Sequence, residues 1–218
     1  MRRNYLIFFF LLLLTTGRLA AQVNASFTSS AQFGCPPLLV NFTDQSTGGA
    51  TTWQWQFDNG NTSNQRNPTQ SFTNPGVYNV LEIVSNGTSV DSQVMQIRVY
   101  QPPIDSFTSI GNVGCANPCH PVSFINLTVP GASPVTQYAW DFGDGSLAQS
   151  GFNVTHCYSQ TGTFTVILVS RDANGCQNSK VMTNYVVIAR PPSATVSATP
   201  TQTCNTSLLV KFTGSASS

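Results

Sequence analysis

The fold is decided by one stretch, Tyr138-Ala139-Trp140-Asp141-Phe142-Gly143-Asp144-Gly145. Its three aromatic residues stand at alternate positions, and side chains in a β-strand alternate between the two faces. Tyr138, Trp140 and Phe142 therefore point to one side of a strand. The Gly143-Asp144-Gly145 segment that follows is typical of a tight turn, because glycine accepts positive φ values. The stretch predicts a buried strand that ends in a turn.

The same pattern occurs earlier in the chain, as Trp53-Gln54-Trp55-Gln56-Phe57-Asp58-Asn59-Gly60. A motif that recurs at a fixed spacing indicates tandem domains. The flanking segments also match, since Val40-Asn41-Phe42 corresponds to Val122-Ser123-Phe124. Residues Leu209-Val210-Lys211-Phe212 match the same segment a third time. We expect two complete repeats and a third, truncated one, and we expect the chain to be the front part of a longer protein.

Short alternating segments separated by turn residues predict about seven strands in the first repeat, and no segment has helical periodicity. This pattern is typical of an antiparallel β-sandwich with the immunoglobulin-like architecture. The predicted fold is all-β, with tandem immunoglobulin-like sandwiches. The expected divisions are 1–21 as a signal peptide, 22–100 as the first repeat, 101–103 as a Pro-Pro linker, 104–190 as the second repeat and 191–218 as the start of the third.

Charged residues make up only 8% of the chain and the formal net charge is +1. An ordinary soluble domain has roughly 25% charged residues. A nucleic-acid-binding protein needs a basic surface, and nine Lys and Arg spread over 218 residues do not provide one. The composition therefore excludes nucleic acid as a partner.

The N-terminus has the pattern of a secretory signal peptide. Arg2 and Arg3 precede an apolar run from Tyr5 to Leu14, and small residues follow at Ala20 and Ala21. The apolar run is shorter than the 20 or so residues that span a bilayer. We expect cleavage before Gln22, export of the mature chain without membrane insertion, and a secreted or cell-surface location in which disulfides form.

The residues Trp140-Asp141-Phe142-Gly143-Asp144-Gly145, followed by His156-Cys157-Tyr158 and Gly162-Thr163-Phe164-Thr165-Val166, closely resemble the PKD (polycystic kidney disease) domain. The resemblance implies an immunoglobulin-like β-sandwich in a secreted or surface protein, where such domains are spacers or protein and carbohydrate contact modules. The first repeat departs from the motif, because it has Gln56 and Asn59 in place of Asp141 and Asp144.

The motif residues have two interpretations. Asp141 and Asp144 are the one close carboxylate pair, so they could act as acid and base or bind calcium, or they could hold the turn through local hydrogen bonds. The first repeat has amides at these places, and an amide makes the turn without titrating. We therefore assign the motif a structural role, in which it comprises Trp55, Phe57, Trp140, Asp141, Phe142, Gly143, Asp144, Gly145 and Tyr158.

The aromatic residues of the motif allow a similar choice between a core role and a carbohydrate-stacking platform. All three Trp residues belong to the repeated strand, and a central-strand Trp packs between the sheets of a sandwich. We predict that Trp55 and Trp140 lie in the core, while Trp53 and Tyr138 near the strand start are partly exposed.

Four of the six cysteines lie in the second repeat, and sequence alone allows three pairings among them. The first repeat lacks counterparts of both Cys119 and Cys157, so we expect these two to pair, which the resemblance also implies. Cys115 is then expected to pair with Cys176. Cys35 has no partner within its repeat, so it is either free or paired with a cysteine of another repeat or another chain, and Cys204 is expected to pair beyond Ser218.

A zinc site is the alternative for two of these cysteines, because His120 and His156 are their neighbours in sequence. Adjacent residues of a strand point to opposite faces, so the four side chains do not converge easily. We expect no metal and no cofactor. No Ser-His-Asp or Cys-His arrangement and no phosphate-binding glycine loop occurs, so no catalytic residue is predicted.

The sequence thus predicts a non-catalytic extracellular protein, an adhesin or stalk, whose partners are other surface proteins or extracellular polysaccharide. The alternative is that the chain is the accessory N-terminal region of a larger secreted hydrolase, since PKD-type domains often flank protease or glycosidase domains.

Overall fold

A computed structural model describes residues 21–191, 193–199 and 211–217. Residues 1–20 of the expected signal peptide and Cys204 lie outside this part of the chain. All regular elements in it are β-strands. Those of the first repeat are β1 (Phe27–Ser29), β2 (Phe33–Gly34), β3 (Leu38–Asp44), β4 (Thr52–Gln56), β5 (Thr62–Ser63), β6 (Thr69–Phe72), β7 (Gly76–Ser85) and β8 (Val90–Val99). Those of the second repeat are β9 (Phe107–Ile110), β10 (Val113–Cys115), β11 (His120–Asn126), β12 (Val135–Asp141), β13 (Gln149–Ser150), β14 (Val154–Tyr158), β15 (Gly162–Asp172) and β16 (Gln177–Ala189).

Both repeats build their two sheets in the same way. One sheet has three strands, in the order β1-β3-β6 in the first repeat and β9-β11-β14 in the second. The other has five strands, in the orders β2-β8-β7-β4-β5 and β10-β16-β15-β12-β13. The short pairs β2–β8 and β10–β16 are parallel. The identical strand orders show that the sequence repeat is a structural repeat.

The core of each repeat lies between its two sheets, because the apolar residues of each strand alternate toward one face. Strand β3 shows this, since Val40 and Phe42 are buried and their neighbours Leu39 and Asn41 are exposed. In the second repeat the buried apolar residues come from both sheets: Phe107, Val122, Phe124, Trp140, Phe142, Val154, Tyr158, Phe164, Val166, Leu168, Val186 and Ile188. The fold is therefore the expected all-β, immunoglobulin-like sandwich.

Contacts between Cα atoms divide the chain into two compact units. The first contains Val40–Gln70 and Tyr78–Gln96, with the described residues that precede Ala31. The second contains Ala31–Leu39, Ser71–Val77 and the described residues from Ile97 onward. The second unit thus includes Cys35, the strand end at Val99 and the whole second repeat.

Two further strands follow the second Pro-Pro segment, β17 (Ser193–Thr199) and β18 (Lys211–Ser217). They form an antiparallel pair in which Phe212 lies opposite Ala198. The first strands of the complete repeats pair in the same way, with Phe42 opposite Ser29 and Phe124 opposite Ser109.

Candidate functional site

The two central tryptophans anchor the motif in the core. Trp55 and Trp140 are fully buried. Trp140 Nε1 donates a hydrogen bond to the carbonyl of Gly151 at 3.0 Å, and Trp55 Nε1 donates to the carbonyl of Gln65 at 2.9 Å. Each ring therefore fastens the loop that follows its strand to the sandwich interior. Trp53 and Tyr138, which precede them, are partly buried.

Asp141 holds the turn that follows strand β12. Its Oδ1 accepts the backbone N–H of Gly143 at 2.9 Å. Gly143 has a φ of 73°, and a Cβ placed there would lie 2.3 Å from the carbonyl oxygen of Thr165. The sequence needs glycine here, because any side chain would meet this backbone atom. In the first repeat Asp58 takes this position with a φ of 57°.

Asp144 joins the turn to strand β14. Its Oδ2 lies 2.7 Å from Nε2 of His156, and its Oδ1 accepts the N–H of Ser146 at 3.1 Å. The His156 ring in turn stacks on Phe142, with ring centroids 4.0 Å apart. Burial disfavours the charge on Asp144, but the hydrogen bonds from Ser146 and His156 outweigh it and lower its pKa. Both motif carboxylates are thus engaged in local bonds that hold the turn.

Tyr158, at the end of strand β14, is the last residue of the motif. Its hydroxyl donates to the carbonyl of Phe142 at 3.1 Å, and the side chain is fully buried. Burial, together with the charges of Asp144 and Asp141, raises the pKa of Tyr158 well above its usual range. The first repeat has Phe72 at this position, which is also fully buried and has no hydroxyl. The tyrosine is therefore a neutral hydrogen-bond donor and not an acid at physiological pH.

One disulfide joins Cys119 and Cys157, whose Cα atoms are 5.7 Å apart. Strands β11 and β14 bring the two together, because Pro121 lies opposite Cys157 in their antiparallel register. Since both sulfurs are bonded to each other, they are not available as zinc ligands. The neighbouring histidines are also separately engaged, His120 with the carbonyl of Gly111 at 2.8 Å and His156 with Asp144.

The expected Cys115–Cys176 pair is wrong, because the second disulfide joins Cys176 to Cys35 of the first repeat. Cys115 is a free, exposed cysteine. The strand topology explains the error. Cys115 lies opposite Ala189, at the far end of the 13-residue strand β16 that begins next to Cys176. At about 3.3 Å per residue, the two cysteines are roughly 40 Å apart, whereas a disulfide needs Cα atoms within about 7 Å.

A buried carboxyl group in the first repeat escaped the sequence analysis. Glu82 of β7 is fully buried opposite Trp55, where the second repeat has Leu168 opposite Trp140. Burial raises the pKa of Glu82 to about 8, and the neighbouring Asp44 carboxyl adds to this rise. Alignment of the two repeats could have revealed the group, since it shows a glutamate in place of a core leucine.

Asp44 and Arg66 complete this polar cluster. The Arg66 side chain donates to Asp44 Oδ2 at 2.9 Å, and its guanidinium lies 5.3 Å from the centre of the Trp53 ring. Burial disfavours the charge on Asp44, but hydrogen bonds from Ser46 and Arg66 lower its pKa. Asp44 is thus the charged carboxylate of the pair and Glu82 the neutral one.

Each repeat also has an open groove beside the residue that starts the motif. The groove of the second repeat has a volume of about 590 Å³ and includes Tyr138, Gln137 and Arg171 in its lining. That of the first repeat has about 680 Å³ and includes Trp53 and Gln54. Both grooves combine an aromatic ring with hydrogen-bonding side chains.

Among the described residues, no three His, Cys, Asp or Glu side chains are grouped as a metal site would require. That part of the chain also contains no helix that is long and apolar enough to cross a membrane.

Comparisons with known proteins agree with the sequence motif. The sequence profile of the PKD domain matches residues 20–99 and 107–188. Human Polycystin-1 is 28% identical over 153 residues, which are 69% of this chain and 3% of that protein. The chain thus spans a very small part of this curated relative.

Two solved bacterial domains are similar to single repeats. The PKD1 domain of Vibrio anguillarum Epp is 27% identical, with 41% of this chain and 99% of that domain covered and a TM-score of 0.34. The PKD1 domain of the Vibrio cholerae metalloprotease PrtV is 28% identical, with 36% and 96% covered and a TM-score of 0.33. Because the PKD profile matches about three quarters of the 218 residues, the chain belongs to the PKD domain family.

Proposed function

We propose that this chain is a non-catalytic extracellular spacer, part of a stalk or adhesin, whose PKD domains also offer contact surfaces to proteins or polysaccharide. The observation that carries the proposal is the disulfide between Cys35 and Cys176, two residues that are 141 positions apart in sequence. PKD domains and disulfides are typical of extracellular proteins.

The disulfide matters mechanically because of where its cysteines lie. Cys35 is near the start of the first repeat, and Cys176 precedes the last strand of the second. Tension applied to the two ends of the chain passes through this covalent bond. The segment between the two cysteines, which includes most strands of both repeats, then carries no load. Such a bypass suits a stalk that must remain folded under pulling forces.

The motif supports the same role through the partners of its polar groups. The carboxylates of Asp141 and Asp144 accept backbone N–H groups within the turn. The Tyr158 hydroxyl donates inside the core. These groups stabilise the fold, and the two grooves beside Trp53 and Tyr138 provide polar and aromatic surface for a partner.

Small-angle X-ray scattering of residues 22–190 tests the spacer role. The proposal predicts an elongated particle in the oxidised protein. A matched variant, Cys35→Ser with Cys176→Ser, removes the bond without adding a free thiol to that of Cys115, and it should scatter as a more flexible particle. A compact globule, or identical scattering from the two proteins, would contradict the proposal. A catalytic domain encoded downstream would instead favour the accessory-region alternative.

A further inference from the structure

Cys115 occupies the same position in the second repeat as Cys35 does in the first. Cys35 follows Ser29 by six residues, and Ser29 lies opposite Phe42. Cys115 follows Ser109 by six residues, and Ser109 lies opposite Phe124. Both cysteines come directly after a glycine of a short strand that pairs in parallel with the last strand of the repeat. The two thiols are therefore structurally equivalent.

Cys35 lies where the first repeat leads into the next one. The N–H of Tyr100 donates to the carbonyl of Gly34 at 2.8 Å, so the cysteine lies beside the segment that enters the Pro102-Pro103 linker. Within the same compact unit, Cys35 is bonded to Cys176, which follows the turn Asp172–Gly175 of the second repeat. The N–H of Cys176 donates to Asp172 Oδ1 at 2.8 Å, which fixes that turn.

Cys115 has the same surroundings but no bonded partner. The N–H of Ala116 approaches the carbonyl of Ala189 at 3.4 Å, and Arg190-Pro191-Pro192 follows directly. Cys115 is exposed, and two large apolar side chains on the same end of the repeat are also exposed, Val113 at 67% and Val187 at 40%. This end of the second repeat thus presents a free thiol with apolar surface beside it.

The chain after this end begins a further copy of the same domain. Strands β17 and β18 pair with Phe212 opposite Ala198, as the first strands of the two complete repeats do. In the sequence, Cys204 follows Ala198 by six residues. Each repeat therefore has one cysteine at this position in the sequence: Cys35, Cys115 and Cys204.

We propose that Cys115 is one half of a repeat-to-repeat disulfide, and that its partner is a cysteine of the third repeat at the position equivalent to Cys176. The third repeat would then dock at the exposed end of the second repeat around Cys115. In the same way, the loop that carries Cys176 is joined to the end of the first repeat around Cys35. This proposal rests on the third repeat being completed after Ser218, and it extends the covalently braced spacer proposed above.

The bond forms by thiol–disulfide exchange. The Cys115 thiolate attacks a low-molecular-weight disulfide such as oxidised glutathione and releases one reduced thiol. The thiolate of the third repeat then attacks the Cys115 sulfur of the mixed disulfide and releases the second. The two protein thiols lose two electrons and two protons in total, and oxidised glutathione is reduced to two thiols.

The test uses the gene beyond the codon for Ser218. We would express the chain through the end of the third repeat, alkylate free thiols with iodoacetamide, digest without reduction and analyse the peptides by mass spectrometry. The expected result is a Cys115 peptide linked to a cysteine that follows a turn in the third repeat, with Cys35–Cys176 also present. In the 218-residue chain, Cys115 should be fully alkylated while Cys35 and Cys176 remain unlabelled.

Two variants provide the controls. Cys115→Ser should leave one newly alkylated cysteine in the third repeat, and Cys35→Ser should do the same for Cys176. An alkylated Cys115 in the extended chain, a third repeat without that cysteine, or no encoded third repeat would each overturn the proposal. None of these results would affect the spacer role of the two complete repeats, which the scattering experiment tests separately.

Discussion

Glu82 makes the first repeat sensitive to alkaline conditions in a way that the second repeat is not. Its pKa rises from 4.5 in a free side chain to about 8 in the folded protein. The folded state then holds a proton that the unfolded state releases above pH 4.5. Stability is therefore complete below pH 4.5, falls as the pH rises, and levels off above about pH 8. One pH unit within this window corresponds to about 1.4 kcal/mol.

The expected loss between pH 5 and pH 8 is thus on the order of 4 kcal/mol in the unfolding free energy of the first repeat. That is a large fraction of the stability of a small domain. The first repeat contributes no histidine to the pH dependence in this range, because both histidines of the chain, His120 and His156, belong to the second repeat. The pKa of Asp44 is lowered, so its own titration lies on the acid side of this pH range.

Hydrogen exchange followed by mass spectrometry separates the two repeats by peptide. Protection factors in β4 and β7 should fall on the order of a thousandfold from pH 5 to pH 8, since about 1.4 kcal/mol is a factor of ten. The equivalent strands β12 and β15, which pack around Leu168, should not show this decrease. Glu82→Gln keeps the shape of the side chain and removes the titration, and Glu82→Leu copies the second repeat.

In both variants the unfolding free energy of the first repeat should stay constant over this pH range. Both should be more stable than the natural chain at pH 8. If Glu82→Gln retained the pH dependence of the natural chain, the buried carboxyl group would not be its cause. An equal decrease in both repeats would also exclude Glu82 as the cause, because the second repeat has Leu168 at that position.

Three further changes test the motif, each at a position where the first repeat has a different residue. Tyr158→Phe should cost about 1 kcal/mol in urea unfolding because the hydrogen bond to the Phe142 carbonyl is lost; no change would mean that the bond contributes nothing. Gly143→Ala should destabilise the second repeat by about 1–3 kcal/mol because of its positive φ and the contact with the Thr165 carbonyl, and an unchanged melting temperature would contradict this. Asp144 has a lowered pKa, so its contribution is present above pH 3.8 and is lost as the pH falls through the folded-state value. Asp144→Asn should therefore reduce the acid sensitivity of the second repeat, and an unaltered acid transition would argue against the Asp144–His156 pair.

The sandwich core could be predicted because it follows from local periodicity. Trp140 and Phe142 alternate with polar neighbours, and the recurrence of the pattern at Trp55 and Phe57 shows which positions are buried. The pairing of Cys119 with Cys157 also followed from comparison of the repeats, since the first repeat lacks counterparts of both cysteines.

Features that depend on long-range topology were not accessible in the same way. Strands β2 and β10 are two and three residues long, too short for a periodic pattern, so their parallel pairing was not predicted. That pairing places Cys115 at the far end of β16 from Cys176, which is why the predicted bond between them was wrong. Strand β5 is also only two residues long, so no periodic pattern reveals it.

Glu82 was missed for a different reason. A glutamate in a strand is ordinarily exposed, and its strand neighbours Leu81 and Ile83 do not identify it as the inward residue. Only the equivalence of Glu82 with Leu168 reveals that it faces the core. The raised pKa of Glu82 also depends on Asp44, which comes from a separate part of the chain.

Single-molecule pulling on the ends of the oxidised chain tests the covalent link between the two repeats most directly. The Cys35–Cys176 bond encloses 141 residues, which at roughly 3.5 Å per residue amount to about 490 Å of extended chain. This length should stay hidden until reductant is added. The Cys119–Cys157 bond, with a separation of 38, withholds about 130 Å of it until that bond is reduced as well. If the oxidised chain unfolds to its full contour length without reductant, the Cys35–Cys176 bond does not link the two repeats, and the proposed spacer role is contradicted.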